Sequence, residues 1–331
     1  ISQSFFHRTR KILRRLRISC TKSRIPNNPS LLCTKAGENM KFDYISDIHL
    51  DFHCTEYRTT HKNFYKDIEA FAKRLLPPKP SPTLLIAGDT GHRFEQDSYL
   101  LTVLLRTYSN ILLVHGNHDG YLITDSIRAK YKNNSFLRLA EMKDFCDSTP
   151  GLHFLDGNTI TIDSITYGGC GMSWDKTHYE LLCESEVSTS EVVSFYKRYL
   201  NDYRNISCGT APYKIPTGYG ASVFCGDFDP IRFFESQYNK LKSIEKADVV
   251  LTHYAPLLHP SMPEQYKHHL GTSFYYFNGK EIIDTLAPTV GVYGHTHSPA
   301  HDIVDNTTYL CNPYGYPREN PGARITTYTK D

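Results

Sequence analysis

The sequence of 331 residues contains no long apolar run and no cysteines in a Cys-x-x-Cys spacing. No segment approaches the roughly 18 consecutive apolar residues that a membrane-spanning helix needs, so we expect a soluble protein without a membrane partner. The nine cysteines are odd in number and scattered, which argues against a disulfide framework and against a zinc finger. We expect reduced, buried thiols in a cytoplasmic protein.

Positive charge is outnumbered by negative charge in most of the chain. The formal net charge is +2, but residues 1–39 carry nine of the 37 Lys and Arg and only one of the 35 acidic residues. The net charge is therefore +8 over this leader and −6 over residues 40–331. A mildly acidic body argues against a broad nucleic-acid-binding face, although it leaves room for a local groove.

The basic leader, residues 1–39, has little apolar periodicity, and its segment Pro26–Pro29 would break a helix. Three interpretations are open: an organelle transit peptide, a basic arm that contacts nucleic acid, and untranslated sequence read through in frame. We favour the third, with Met40 as the true start, because the pattern of a fold begins abruptly there. The leader is then disordered or non-native, and residues 40–331 form the domain.

Short apolar runs in this domain predict buried β-strands. Five of them end in polar residues that can bind a metal ion or act as an acid or base. These runs span residues 42–46, 83–87, 111–115, 247–252 and 289–293. A turn after such a strand projects its side chains into the crevice where open α/β sheets bind ligands.

Two predictions concern the second half of the chain. Asp156-Gly157 has the composition of a hairpin turn within the short strands at 152–170. Residues 175–247 contain two helical segments around a Gly-, Pro- and Tyr-rich loop at 206–226. We interpret 175–247 as a helical insertion or a cap over the site rather than as sheet.

The residues at the ends of the five runs are candidate metal ligands. A lone His or Asp at such a position is usually a solvated or turn residue, but five such ends in one chain make coincidence improbable. His118 has an imidazole suited to proton transfer near neutral pH and is set aside. Seven candidate ligands remain: Asp47, His49, Asp89, Asn117, His253, His295 and His297.

Seven ligands are too many for one metal ion, but they suit two divalent ions that share a carboxylate. The mixture of oxygen and nitrogen donors without a thiolate fits Mn, Fe, Zn or Ni better than Ca or Cu(I), and we favour Mn. Oxygen-only Mg sites do not use four histidines. The sequence therefore predicts a dinuclear centre.

In chain order, these residues resemble the full signature of the calcineurin-like metallophosphoesterases. The matching motifs are Asp47-x-His49, Gly88-Asp89, Gly116-Asn117-His118-Asp119, His253 and Gly294-His295-Thr296-His297. The resemblance covers essentially residues 40–331, although 175–247 is not diagnostic. It implies an α/β fold, a four-layer sandwich of two mixed β-sheets flanked by helices, and a metal-dependent phosphoester hydrolase.

The resemblance also implies roles for individual residues. One metal ion would be held by Asp47, His49, Asp89 and His297, and the second by Asp89, Asn117, His253 and His295, with Asp89 bridging. His118 would protonate the leaving group or stabilise the transferred phosphoryl group, and Asp119 would orient His118. The two cations would neutralise phosphate oxygens and turn a bridging water into a hydroxide nucleophile.

The branch of the family is less well specified. Arg93 has the offset expected in a protein Ser/Thr phosphatase, but other residues of that signature, including a Glu at the position of Asp119, are missing. The acidic body weakens a recombination-nuclease interpretation, and the complete ligand set weakens that of a catalytically silent scaffold. The segment Cys311–Asn320 looks like small bacterial and phage phosphohydrolases. We therefore expect a small phosphodiesterase or phosphomonoesterase acting on a nucleotide-like substrate.

Some residues near the ligand motifs are candidates for substrate contact. The main ones are His92, Arg93, Tyr254 and Arg318, and the others are His53, Tyr121, Trp174 and His259. Packing or a solvated loop explains each of them equally well. The oligomeric state is left open.

Overall fold

The apolar runs form adjacent strands of two β-sheets. A computed structural model describes residues 40–54, 61–209, 213–217, 220–224, 228–258 and 260–330, with backbone only for 61–63, 213–217 and 220–224. The strands are β1 Met40–Ile45, β2 Thr83–Ala87, β3 Asn110–Val114, β4 Leu152–Phe154, β5 Asn158–Ile162, β6 Ile165–Cys170, β7 Tyr213–Thr217, β8 Gly220–Phe224, β9 Val249–Thr252, β10 Val290–Tyr293, β11 Ala300–Val304, β12 Thr307–Cys311 and β13 Thr326–Lys330. The leader and His259 lie outside the described residues, so the expectations for them stay predictions.

Both sheets are mixed. The first has the order β13-β1-β2-β3-β4, and the second has the order β11-β12-β10-β9-β6-β5. In the first sheet β1 to β4 run parallel, with β13 antiparallel to β1. In the second sheet β6, β9, β10 and β12 run parallel, with β5 and β11 as antiparallel edges. Parallel strands end on the same side of a sheet, so the polar ends of β1, β2 and β3 lie side by side, as do those of β9 and β10.

Apolar side chains hold the two sheets face to face. Phe42, Leu85 and Val114 of the first sheet belong to one buried cluster with Val249 and Val292 of the second. The outer face of each sheet is buried under helices in two further clusters. The predicted α/β fold, a four-layer sandwich of two mixed sheets flanked by helices, is confirmed.

The helices belong to two outer layers. The first layer contains His61–Leu75, Phe94–Leu104 and Ser135–Ser148, and the second contains Thr177–Cys183, Thr189–Tyr199, Pro230–Lys242 and Lys280–Leu286. Shorter helices span Leu50–His53, Asp125–Lys130, Asp202–Asn205 and Glu264–Lys267, with 3-10 turns at His118–Gly120 and Leu270–Tyr275. Local capping explains some of the boundaries: the Asp229 carboxylate accepts from the N–H groups of Ile231 and Arg232.

The predicted hairpin turn at Asp156-Gly157 is wrong. The strand before it, β4, pairs with β3 in the first sheet, whereas the strand after it, β5, pairs with β6 in the second. Gly157 does turn the chain, with φ +89°, but the turn carries it from one sheet to the other. The hairpin lies one strand later, at Asp163-Ser164, where both φ angles are positive, as in a type I′ turn.

Residues 175–247 contain more regular structure than the sequence predicted. Val192, Tyr196 and Phe233 pack into one cluster with Cys170 and Val250 of the second sheet, so the helices form an outer layer of the sandwich. The predicted loop at 206–226 contains the antiparallel pair β7–β8, so that prediction is wrong over the paired residues. The description of 175–247 as a separate insertion or cap stays a prediction.

Candidate active site

The chain turns sharply where the strands end, and five of the predicted ligands have left-handed backbones. The φ angles are +51° at Asp47, +44° at His49, +55° at Asp89, +66° at His295 and +52° at His297. Non-glycine residues rarely adopt this conformation, which costs roughly 1–3 kcal/mol each and is typical of functional sites.

Two of the motif glycines leave the space that the ligand side chains occupy. A Cβ atom on Gly116 would lie 2.1 Å from Asp89 Oδ1, and one on Gly294 would lie 2.8 Å from Asp47 Oδ2. Both distances are shorter than any real contact, so another residue at either position would displace a carboxylate. The glycines are therefore part of the site and not only turn formers.

Asp89 lies at the centre of the site with one carboxylate oxygen free of hydrogen bonds. Its Oδ1 atom accepts from the His118 N–H at 2.8 Å. Its Oδ2 atom is buried and has no hydrogen-bond partner among the described residues. That oxygen lies 3.8 Å from His49 Nε2 and 3.4 Å from His253 Nε2, between two groups of imidazoles.

The first of these groups, Asp47–His49–His297, joins the ends of β1 and β10. The Nε2 atoms of His49 and His297 are 3.0 Å apart, and His297 Nε2 is 3.5 Å from Asp47 Oδ1. The Asp47 carboxylate also accepts from the His295 N–H. On its outer side, His297 Nδ1 is 2.7 Å from Glu319 Oε2.

The second group, Asp89–His253–His295, joins the ends of β2, β9 and β10. His253 Nε2 is 3.0 Å from the Asn117 Oδ1 atom, and its Nδ1 atom donates to the Ala87 carbonyl at 2.8 Å. The ring of His295 lies 4.9 Å from that of His253. The four predicted ligands of the second ion therefore lie together.

Burial and neighbouring charges shift the histidine pKa values in opposite directions. Burial, reinforced by nearby imidazoles, lowers the pKa of His49 and of His295 well below the ordinary value. Burial also disfavours the charged form of His253, but the Asp89 carboxylate outweighs it and raises the pKa to about 9. Since metals bind the neutral imidazole, an ion bound here would displace a proton from the Asp89–His253 pair.

The donor set fits metal ions. Three groups of side chains have ligand atoms within 4.8 Å of one another: Asp47, His49 and His297; His49, Asp89 and His118; and Asp89, His253 and His295. Asp89 belongs to two of them and carries the free oxygen. A buried carboxylate oxygen without a hydrogen bond is costly in a protein, and a shared cation would satisfy it.

His118 lies beside the ligands and is held from behind by His92. His118 Nδ1 is 2.6 Å from His92 Nε2, and His92 Nδ1 is 2.7 Å from Asp51 Oδ2. Burial, followed by the neighbouring imidazoles, lowers the pKa of His118 well below its ordinary value. Asp51 was not predicted from the sequence, and His92 was predicted to contact substrate, whereas the His92 side chain is buried between Asp51 and His118.

Asp119 has different partners from those expected. Its carboxylate accepts from the backbone N–H groups of Asp89, Thr90 and Gly116, so it ties two ligand loops together. The structure therefore does not support an orienting contact from Asp119 to the His118 ring. Arg138 stabilises the same turn by donating to the carbonyl oxygens of His118 and Asp119.

Asp202 is a second residue that the sequence analysis missed. It lies in the short helix Asp202–Asn205, is 5% exposed, and accepts from Asn117 Nδ2 at 2.8 Å. It also accepts from the Tyr121 hydroxyl. The contact fixes which way the Asn117 amide points, with Oδ1 towards His253. A lone acidic residue far from any motif carries no sequence signal for this role.

The other predicted substrate residues are dispersed. Tyr254 is buried with its ring 4.2 Å from that of His295, and the Tyr121 ring stacks on His118 at 4.2 Å. Trp174 packs against Phe274, and His53 packs against Phe71. Arg93 is half-buried at the start of a helix, and Arg318 is exposed on a loop.

Three aromatic residues that the sequence analysis did not name surround the ligands. The Tyr316 ring stacks on His49 at 4.6 Å, and Phe52 lies edge-on to Tyr316 at 4.8 Å. On the other side of the site, the Tyr275 ring is 4.7 Å from that of His295. Phe52 and Tyr275 are 43% and 37% exposed, enough to offer a ring face to a substrate.

Residues 40–299 match the family described as calcineurin-like phosphoesterase. The chain belongs to this family. The match spans most of the chain and includes every strand end that carries a candidate ligand. It confirms the resemblance and the prediction that this phosphoesterase is a hydrolase.

Two similar proteins extend this comparison. The chain is 24% identical over 297 residues to the uncharacterized protein L509 of Acanthamoeba polyphaga mimivirus, with 85% of this chain and 95% of the relative covered. The crystal structure of phosphopantetheinyl hydrolase (PptH) from Mycobacterium tuberculosis superposes with a TM-score of 0.55 at 19% identity, covering 86% of this chain and 95% of that one. The structural likeness shows a shared fold. Among the described residues, the helices are all too short or too polar to span a bilayer.

Proposed function

We propose that this phosphoesterase hydrolyses small organic phosphoesters with two divalent metal ions. The observation that carries the proposal is the buried Asp89 Oδ2 atom, which has no hydrogen-bond partner among the described residues and faces a ligand group on each side. A carboxylate in this position suits two ions that share it.

Each ion would be held by four side chains. Asp47, His49, Asp89 and His297 would hold the first, and Asp89, Asn117, His253 and His295 the second. We favour Mn, since the set of oxygen and imidazole donors contains no thiolate. Two such ions would neutralise phosphoryl oxygens and lower the pKa of a water for nucleophilic attack.

We propose that His118 donates a proton to the leaving group. Its Nδ1 atom faces His92, which leaves Nε2 for the ester oxygen. As water attacks phosphorus and the P–O ester bond breaks, the leaving oxygen gains the Nε2 proton and the attacking water releases one to solvent. A bound phosphoester anion favours the charged imidazole and so opposes the lowering of the pKa of His118 by burial.

The exposed rings of Phe52 and Tyr275 support a substrate with a flat or apolar organic group, such as a nucleotide. Because the two rings flank different ligand groups, the phosphoester would lie between them. Phosphopantetheine is a second small phosphoester to test, from the name of the superposed hydrolase.

The test is hydrolysis by Mn-loaded protein of 4-nitrophenyl phosphate and of bis(4-nitrophenyl) phosphate, with metal content measured on the same sample. We expect turnover of at least one ester and two Mn ions per chain. Preference for the diester would identify a phosphodiesterase, and preference for the monoester a phosphomonoesterase. Full activity with one ion per chain would contradict the dinuclear proposal, and no turnover with two ions bound would contradict simple phosphoester hydrolysis.

A further inference from the structure

Tyr316 follows β12 in a loop that is hydrogen-bonded to the end of β1. The Gly315 N–H donates to the Asp47 carbonyl at 2.8 Å. The Tyr316 N–H donates to the Glu319 Oε2 atom, also at 2.8 Å. The backbone of Tyr316 is therefore fixed beside a candidate ligand, although the residues that follow it are exposed.

The Tyr316 ring packs over the imidazoles of the Asp47–His49–His297 group. It stacks on His49 with ring centroids 4.6 Å apart and an interplanar angle of 25°, and its centroid is 4.9 Å from that of His297. Phe52 packs edge-on against it at 4.8 Å. A swing of the ring would break these contacts, so the hydroxyl at its tip has a defined position.

That hydroxyl lies beside His118. Tyr316 Oη is 3.4 Å from His118 Nε2, the nitrogen that the proposed function directs at the leaving oxygen. This distance is long for a hydrogen bond between nitrogen and oxygen, which is usually about 2.9–3.0 Å. Within the described part of the chain, the hydroxyl has no closer hydrogen-bonding partner. Both groups are therefore available to a third atom that lies between them.

A phenol at this position suits an oxygen that gains negative charge. With an ordinary pKa of about 10, a tyrosine keeps its proton near neutral pH and donates one hydrogen bond. The oxygen that leaves phosphorus becomes more negative as the ester bond breaks. A donor fixed beside it therefore stabilises the transition state more than the ground state. One oxygen can accept from two donors, here His118 Nε2 and Tyr316 Oη.

We propose that Tyr316 is a further catalytic residue, whose hydroxyl donates a hydrogen bond to the leaving oxygen of the phosphoester beside His118. The inference rests on the proposed phosphoesterase function. His118 gives its Nε2 proton to that oxygen as the P–O ester bond breaks, whereas Tyr316 keeps its own proton throughout. The hydroxyl stabilises the charge that has developed before the proton arrives.

The test compares Tyr316→Phe with the wild type and with the matched control Tyr199→Phe, a tyrosine that is 61% exposed on an outer helix. Phe removes the hydroxyl and keeps the ring on His49. The Mn-loaded proteins are assayed on 4-nitrophenyl phosphate and phenyl phosphate, or on their methyl diesters if the wild type prefers diesters. For Tyr316→Phe we expect kcat/KM to fall about 30-fold on the phenyl ester and at most about threefold on the 4-nitrophenyl ester, whose leaving oxygen carries less charge. Two Mn ions should stay bound, and Tyr199→Phe should match the wild type.

A structural role for Tyr316, or a contact with a non-leaving phosphoryl oxygen, would give a different result. Either would lower kcat/KM equally for both leaving groups. That result, the loss of a metal ion from Tyr316→Phe, or unchanged activity of this variant on the phenyl ester would overturn the proposal.

The position of the hydroxyl is measured separately by a crystal structure of the Mn-loaded wild type with orthovanadate, a five-coordinate analogue of the transferred phosphoryl group. We expect Tyr316 Oη within about 3.2 Å of the apical oxygen on the His118 side. A hydroxyl that contacts an equatorial oxygen, or no oxygen of the vanadate, would overturn the proposal. If the wild type binds two ions but hydrolyses neither ester, the proposed function fails, and the vanadate complex alone decides where the hydroxyl lies.

Discussion

The two ligand groups use the same kinds of side chain but are supported differently by the fold. In the Asp89–His253–His295 group, the outer partners are a backbone carbonyl, Ala87 O, and the buried Asp202 behind Asn117. In the Asp47–His49–His297 group, the outer partner of the His297 ring is Glu319, whose side chain is 37% exposed, whereas Asp47 accepts from the His295 N–H. One half of the centre is therefore supported from the core, and the other partly from a surface loop.

This difference shows that similar ligands need not bind metal equally well. Partners around a metal ligand fix its orientation, and they do so better when they cannot move or be replaced by water. An exposed carboxylate is hydrated and screened by salt, so it restrains its histidine less. We expect the ion in the Asp47–His49–His297 group to be the more weakly held.

The largest effect on both ligand groups is expected when the shared carboxylate is removed. Asp89→Asn should lose both ions together and reduce kcat/KM by at least about 10³-fold, because several kcal/mol of electrostatic stabilisation leave with the metals. Elemental analysis after dialysis measures the loss, with Asp163→Asn as a matched control outside the site. Retention of one full equivalent of metal would count against a shared ligand.

The core-supported half should respond to Asp202. Asp202→Ala leaves the Asn117 amide without its acceptor, so the second ion should bind about 10- to 100-fold more weakly, with little change for the first. Metal titration by calorimetry separates the two affinities. Asp202→Asn, which keeps one acceptor oxygen, should be milder. An equal effect of Asp202→Ala on both ions would argue that the two halves are not independent.

Metal removal should reveal the asymmetry without a mutation. A chelator added to the Mn-loaded enzyme should release two ions in two phases, about tenfold apart in rate, since one half is supported more fully by buried partners than the other. Stopped-flow detection of the chelated metal measures both phases. Release in one phase would show that the support does not decide metal affinity.

The smallest effect is expected at the surface-supported half. Glu319→Gln weakens the contact to His297 Nδ1 and should lower affinity for the first ion by at most about fivefold, the upper range for exposed ion pairs. The same variant should accelerate only the fast phase of chelation. Acceleration of the slow phase would place the weak site in the other group.

Much of the site follows from the sequence because ligands sit at strand ends. Apolar runs predict parallel strands, and parallel strands bring their carboxyl ends to one edge, so Asp47, Asp89 and Asn117 could be placed together before any coordinates. The family was predicted correctly from the motifs at these strand ends, and the two mixed sheets were predicted correctly from the resemblance to that family. The turn at Asp156-Gly157 was misassigned because a turn composition reports a change of direction, not which sheet comes next.

The sequence by itself determined which residues are candidate metal ligands, in what order they occur, and on which class of fold they lie. Tertiary structure alone decided how they are supported. Asp51, Asp202 and Glu319 are ordinary acidic residues in the chain, and they gain roles only because folding places them within 3 Å of His92, Asn117 and His297. Ligand motifs are local in sequence, whereas the hydrogen bonds that orient them join positions up to 248 residues apart, as between the Asp47 carboxylate and the His295 N–H.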